Sequence, residues 1–391
     1  MNLLKIIILI LISCIFLNCK EDKVYAHDPM DESLTEKEAY FNDYEASEMK
    51  FGYINTKGEL VIMDKYDGVR EFSEGLAAVN YQGQWGYIDV NGRTVIDFTY
   101  RSAFAFHDGI ARVQDFDQKY WYVDRTGKVL NQQGLTLAYD SSDGLARIKL
   151  DKGYNFISMS GDTLLDESYQ GARDFEYGLA VIKNFGYYGV ISTTGDFVIP
   201  ASYNKINVDP TTIRVKQNNQ YILFNHLGER INKIAYASCS PYQSGRAVVS
   251  LNGILSMISD EGKILYALDP VIKRAEPANS KLWRVFTDQG TAIMNEQGII
   301  ISDYYEEIFN YSGDRAGYLS NEKWGFLDLK GQEIIPAAYD LIWDFKDGRA
   351  RVVTQGGIGF IDPFGSLVIP PVFFEVKDFD EGRARVQIYR G

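Results

Sequence analysis

From residue 51 to the end of the chain, short apolar runs alternate with tight polar turns. Runs such as Trp85-Gly86-Tyr87-Ile88 and Trp324-Gly325-Phe326-Leu327 lead into a turn, and Thr94-Val95-Ile96 or Phe197-Val198-Ile199-Pro200 lead out of it. Brief β-branched and aromatic stretches on either side of a tight turn predict a β-hairpin. Each turn opens on Asp, Asn or Ser (Asn55, Asp89, Asp124, Ser158 and their later equivalents) and carries glycine three residues on. That is the composition of a type I turn, whose first side chain accepts from backbone N–H groups just ahead. A second signature follows downstream: Gly75-Leu76-Ala77-Ala78-Val79, Gly109-Ile110-Ala111-Arg112-Val113, Gly348-Arg349-Ala350-Arg351-Val352 and further copies. Its alternation predicts a half-buried strand, and its alanine predicts close packing against a neighbour. An aromatic eight residues past the turn glycine (Tyr66, Tyr100, Tyr203, Tyr339) marks a candidate fourth strand.

The turn glycines run Gly58, Gly92, Gly127, Gly161, Gly195, Gly228, Gly262, Gly298, Gly331 and Gly365, with gaps of 33 to 36 residues. A fixed period of this size marks a propeller, solenoid or array. The predicted fold is therefore all-β, with about ten antiparallel repeats of about 34 residues. The chain enters on Phe51-Gly52-Tyr53-Ile54 without a preceding Gly-Leu-Ala-x-Val strand, and it leaves on Gly382-Arg383-Ala384-Arg385-Val386 without a following aromatic-Gly strand. Pairing of the last strand with the first would complete one composite repeat and close a propeller-like ring, removing two exposed edges. Ten units exceed the usual four to eight blades, so an open β-solenoid is the alternative.

The Trp85-Gly86-Tyr87-Ile88-Asp89-x-x-Gly92 and Trp324-Gly325-Phe326-Leu327-Asp328-x-x-Gly331 stretches, with their downstream Tyr-Asp and Gly-Leu-Ala-x-Val elements, resemble the bacterial WG (KWG) repeat family. The resemblance spans residues 50–391 and thins over 205–320, where Trp-Gly is replaced by pairs such as Leu255-Ser256. It implies β-rich repeats, often on exported proteins, and it carries no catalytic residues.

Charge and the N-terminus add a compartment. Lys5 precedes an apolar run from Ile6 to Leu17, which then meets Cys19 and the polar Lys20-Glu21-Asp22-Lys23. The run is shorter than the ~20 residues of a spanning helix and reads as an export signal. It resembles a lipoprotein signal peptide, with residues 1–18 removed and Cys19 lipidated. Asn18 departs from the small residue expected before the cysteine, and Cys14 is the alternative. Residues 19–49 then form an acidic tether, and 50–391 the repeat domain. The expected location is the bacterial cell envelope, at the outer membrane. The net charge of −13 excludes nucleic acid as a partner, since nucleic acid demands a basic footprint.

Candidate chemistry is sparse. Cys239 has no partner in the mature chain and reads as a buried thiol. His27, His107 and His226 lack metal-site spacing, so no metal or cofactor is expected. Asp115-Phe116-Asp117 is too short to specify calcium. Carboxylate pairs such as Asp378/Asp380, placed at the position of Glu71/Glu74 and Asp344/Asp347, read as turn residues. Trp85 and Trp324 fill the repeat's aromatic slot and read as packing, whereas Trp121 and Trp343 fall off it and stay as the remaining candidates for surface recognition. The expected function is a membrane-anchored, non-catalytic scaffold binding protein or glycan. A glycan-directed enzyme with its site at the ring mouth and a purely structural spacer are the alternatives.

Overall fold

The computed structural model describes residues 49–389, so the expectations for the signal peptide, Cys14, Cys19, His27 and the tether lie outside the described residues. Within them there is no helix, and the strands form ten separate antiparallel sheets. Each sheet is one repeat, and we number them blades 1 to 10 from Gly68. Blade 1 is typical, with strands a to d at Gly68–Val69, Leu76–Tyr81, Gln84–Asp89 and Thr94–Tyr100 in that spatial order. Strand b is the Gly-Leu-Ala-x-Val signature, c the aromatic-Gly run and d the run after the turn.

Blade 10 is composite. Arg383–Tyr389 pairs antiparallel with Met49–Asn55 over seven residues, from Met49 opposite Tyr389 to Asn55 opposite Arg383. Its four strands lie in the order Leu60–Tyr66, Met49–Asn55, Arg383–Tyr389, Val376–Asp380. The closed ring is thus the arrangement adopted, and the chain is a ten-bladed β-propeller rather than an open spiral. Side chains of the last blade also reach blade 1: Arg385 donates to the Val69 carbonyl at 3.1 Å, and Glu381 accepts from the Gly75 N–H at 2.7 Å.

The turn glycines have two reasons to be glycine. Each has a positive φ, +78° at Gly92 for example, which L side chains rarely adopt. Each also abuts the preceding blade: a Cβ on Gly92 would stand 3.3 Å from Ile62, and one on Gly127 would stand 3.2 Å from Ile96. The opening residue caps the turn as expected. Asp89 Oδ1 accepts the N–H groups of Asn91 and Arg93, both at 2.9 Å, and Asn55, Asp124 and Asp362 repeat this pattern.

The glycine of the aromatic-Gly pair sets how the outer strand docks. A Cβ on Gly86 would lie 2.6 Å from the Ile96 carbonyl oxygen, where the c–d pairing bulges between Trp85/Tyr100 and Tyr87/Ile96. Gly52, Gly189, Gly325 and Gly359 meet strand d in the same way. Those five blades carry a seven-residue strand d. In the other five blades the position holds Trp121, Asn155, Ile222, Ser256 or Ala292. Blade 6 then keeps a four-residue strand, Ile264–Ala267, and the remaining four hold their outer edge by isolated bridges such as Thr291 with Tyr305. Buried amides take over part of the stitching. Asn131 accepts from the Tyr122 N–H at 2.7 Å, and Asn232 accepts from the Leu223 N–H at 2.8 Å. Both side chains are buried, where an unpaired amide would be costly.

Neighbouring blades meet through aromatic pairs. The residue after the c-strand glycine packs on the a–b aromatic of the next blade, as in Tyr53–Phe72 and Tyr87–Phe106, with centroids 4.9 Å apart in both. Phe326–Phe345 and Phe360–Phe379 repeat this contact. Where the c-strand residue is tyrosine, its hydroxyl also donates across the interface: Tyr87 reaches the Phe104 carbonyl at 2.7 Å. Burial of these rings drives the phenol pKa of Tyr53 and Tyr87 well up, so both stay protonated donors.

Candidate functional site at the inner mouth

Strand a of every blade is its inner edge, so the a–b segments of successive blades converge. A depression of about 370 Å³ gathers side chains from four blades: Asp380 and Glu381 of blade 10, Arg70 to Ser73 of blade 1, Phe104, Ala105 and His107 of blade 2, and Asp140 of blade 3. Six of the ten lining residues are ionisable: Arg70, Glu71, His107, Asp140, Asp380 and Glu381.

Most of those groups hold the ring together. At eight of the ten interfaces an arginine donates to the strand-a carbonyl of the next blade. Six come from the variable position of Gly-Leu-Ala-x-Val. Arg112 is representative: its Nη1 donates to the Ala138 carbonyl at 2.9 Å, its Nε pairs with Asp140 at 2.8 Å, and its guanidinium lies 3.6 Å from the Phe104 ring centroid. Arg147 repeats this with Ala172, Asp174 and Tyr139. In blades 1 and 4 the variable position is Ala78 or Val181, and the first residue after strand a takes over, with Arg70 reaching the Ala103 carbonyl and Arg173 the Ile206 carbonyl. Burial and the nearby Arg112 charge hold the Arg70 pKa below its usual value.

A second belt runs through the a–b turns. Glu74 accepts from the Gly109 N–H, Asp108 from Gly144, Asp143 from Gly178, Asp347 from Gly382 and Glu381 from Gly75, at distances from 2.7 to 3.3 Å. Each acid occupies a left-handed turn position, with φ near +50°, and reaches one blade onward. These acids are turn formers as expected, but the alignment of pairs shifts by one residue: the blade 10 counterpart of Glu74 and Asp347 is Glu381, not Asp380. Asp378 pairs instead with Arg351. Asp380 faces the depression, and burial raises its pKa, an effect that Lys346 opposes and Asp347 and Glu71 reinforce.

The other sequence candidates fall as follows. Trp121 occupies the position where other blades have the c-strand glycine, and its indole N–H donates to Asp115 at 2.7 Å. Trp343 is half-buried under the Arg351 guanidinium, 4.2 Å from the ring centroid. Trp324 stacks on Phe309 with centroids 4.4 Å apart. Asp115 is also the opening acid of the b–c turn, accepting the Lys119 N–H at 2.8 Å. His226 Nε2 lies 2.9 Å from the Asp209 carbonyl oxygen. Cys239 is buried, and burial pushes its thiol up to about 12. Among the described residues no group of three His, Cys, Asp or Glu side chains is arranged to hold a metal ion. Sequence reasoning missed both interblade belts. Their trace was there, as arginine in the variable position and an acid before the second glycine, but a partner one period away is visible only once the blades stand side by side.

Fold and site together define a repeat protein of the propeller class, whose mouth is built from interblade contacts. Five segments match the model of the WG-containing repeat: 51–84, 85–120, 188–221, 324–357 and 358–389. The chain belongs to the WG-repeat family. Those five segments begin at the four aromatic-Gly pairs and at Ile358-Gly359, in the blades with the full outer strand. No curated protein sequence matches the chain. Solved structures similar to it include a eukaryotic initiation factor, at 10% identity over 73% of this chain and 94% of that one with a TM-score of 0.44. The computationally designed Ika8 protein matches at 12% identity over 68% and 96%, with a TM-score of 0.37. BamB from Moraxella catarrhalis matches at 12% identity over 72% and 97%, with a TM-score of 0.31. At such scores these likenesses say nothing about function.

Proposed function

We propose that this protein is a non-catalytic binding scaffold of the bacterial cell envelope, tethered to the outer membrane by a lipid on Cys19. The observation that carries the scaffold reading is the use of the mouth. Of the ionisable side chains lining the depression, Arg70, Glu71, Asp140 and Glu381 all bind a neighbouring blade. Groups held in this way keep the ring closed and are poorly free to move protons for a substrate. What the fold offers in quantity is surface, since repeats create extended binding faces without a reactive centre. The tether reading rests on the sequence around Cys19. Acyl chains contribute about 0.8 kcal/mol per buried CH₂, so two or more anchor stably.

Two experiments test the two halves. Cys19→Ala, expressed in a bacterium with labelled palmitate, should lose the label and move to the soluble fraction. Label persisting at Cys14, or membrane retention without label, would refute lipidation at Cys19. For the scaffold, the immobilised repeat domain should retain envelope protein or glycan that Phe185→Ala/Tyr187→Ala, or an equivalent surface change on another blade, releases. Turnover of an envelope glycan that Asp380→Asn abolishes would replace the scaffold reading with the enzymatic one.

A further inference from the structure

Resting on the scaffold reading, we propose that one end of blades 4 and 5 is the binding face, and that its ligand is an acidic polysaccharide. Besides the link entering blade 4, which carries Asp166 and Glu167 and whose Gln170 accepts from the Gly186 N–H at 3.0 Å, four segments meet at that end, where the b–c turns and d–a links lie: 183–188, 200–205, 216–221 and 232–237. They contain four lysines (Lys183, Lys205, Lys216 and Lys233) and no Asp or Glu, in a chain whose net charge is −13.

The side chains stand in rows fixed by strand register. In blade 5, Lys205 is directly opposite Lys216, Lys216 is opposite Tyr221, and Tyr221 bridges to Tyr236. Blade 4 continues the theme with Lys183 opposite Tyr188 and Tyr188 opposite Tyr203. The Lys183 and Lys216 ammonium groups lie 5.3 and 5.6 Å from the Tyr188 and Tyr221 ring centroids. Like charges directly opposite one another destabilise a sheet. Elsewhere at this end of the ring two lysines at the sheet edge have carboxylate partners: Lys50 pairs with Asp67, and Lys323 with Asp340. Blades 4 and 5 lack that compensation, so an anionic partner would supply it.

The rest of the face selects the kind of anion. Asn184, Asn204, Gln217, Asn218, Asn219 and Gln220 surround the lysines. Phe185 is 84% exposed and Tyr187 48% exposed at the blade 4 turn. Flat aromatic rings, amides and spaced cations suit a sugar polymer carrying carboxylates, with rings for its apolar faces and amides for its hydroxyls. A membrane surface would call for more apolar side chains than Phe185 and Ile234 among the amides, and a nucleic acid, with its closely spaced phosphates, for a denser basic footprint than four lysines.

The test uses the repeat domain with alginate oligomers as the polyuronate probe, neutral dextran as the uncharged control, and phosphatidylcholine/phosphatidylglycerol vesicles. Calorimetry should show alginate binding that weakens with salt, with dextran and vesicles unbound. Lys183→Gln/Lys205→Gln/Lys216→Gln should weaken alginate binding at least tenfold, and Phe185→Ala/Tyr187→Ala severalfold. Lys57→Gln/Lys128→Gln/Lys330→Gln, on the exposed c–d turns at the opposite end, should leave it unchanged. Unaltered melting would show that each variant is folded. Absence of alginate binding by the unmodified protein, binding indifferent to the blade 4 and 5 lysines, or preference for the vesicles would each overturn the proposal. If the retained envelope partner persists in the triple lysine variant, the scaffold reading survives and this face alone is refuted.

Discussion

Replacing Gly86 by alanine should loosen the outer strand of blade 1. The added methyl would lie 2.6 Å from the Ile96 carbonyl oxygen, 2.8 Å from Phe98 and 2.9 Å from the Asp97 carbonyl carbon. A carbon needs roughly 3.3 Å from a non-bonded oxygen, so strand d must retreat by about 0.7 Å; overpacking of that size costs about 1–3 kcal/mol. Retreat also uncovers Ile96, which is now buried against blade 1 and its neighbours, and full exposure of that side chain would add about 1.5–3 kcal/mol. Partial retreat therefore gives a total of about 2–4 kcal/mol. The chain holds its own precedent: blade 7 has Ala292 at this position, and its outer edge keeps only the bridges Thr291–Tyr305 and Met294–Ile300. Urea unfolding measures the loss, and hydrogen exchange across 94–100 locates it. A loss under about 0.5 kcal/mol with unchanged protection of 94–100 would show that the glycine does not govern strand d.

Three further outcomes follow from the same contacts. Arg112→Met leaves the buried Ala138 carbonyl without its charged donor and removes the Phe104 stacking, so stability should fall by about 2–4 kcal/mol in chemical denaturation; Lys330→Met, on an exposed turn, should fall within about 0.5 kcal/mol of the parent. Asp89→Asn should be near neutral at pH 7, since Asn55 and Asn225 cap the same turn, whereas Asp89→Ala should cost about 1 kcal/mol by loss of the cap. The Arg93 N–H holds the Asp89 carboxyl below its usual range, so its contribution is present above the unfolded carboxylate pKa near ~4 and is lost as pH falls through the lower folded value; the asparagine variant should lack that acid-side loss in a pH series. Cys239 should resist iodoacetamide at pH 8 in the native protein and react fully in urea, because burial keeps its thiol protonated; rapid native labelling would contradict its position in the core.

The aromatic-Gly pairs and turn glycines made the repeat, its strands and its turns legible in the sequence, because each is a local demand. A positive φ needs glycine, a type I turn needs a short polar side chain at its head, and a half-buried strand needs alternation. Even closure could be read from the phase at which Phe51 enters and Val386 leaves. The sequence also marked the degraded copies, though not what the change from Gly86 to Trp121 or Ala292 does to an outer strand. Tertiary structure alone decided which polar groups meet across blades. Arg112 and Asp140 lie 28 residues apart, and Glu74 and Gly109 lie 35 apart. Nothing local in either segment names its partner, because the ring curvature brings one repeat's strand b against the next repeat's strand a. The same holds for the lysine rows: Lys205 and Lys216 are ordinary surface residues in sequence, and register places them face to face.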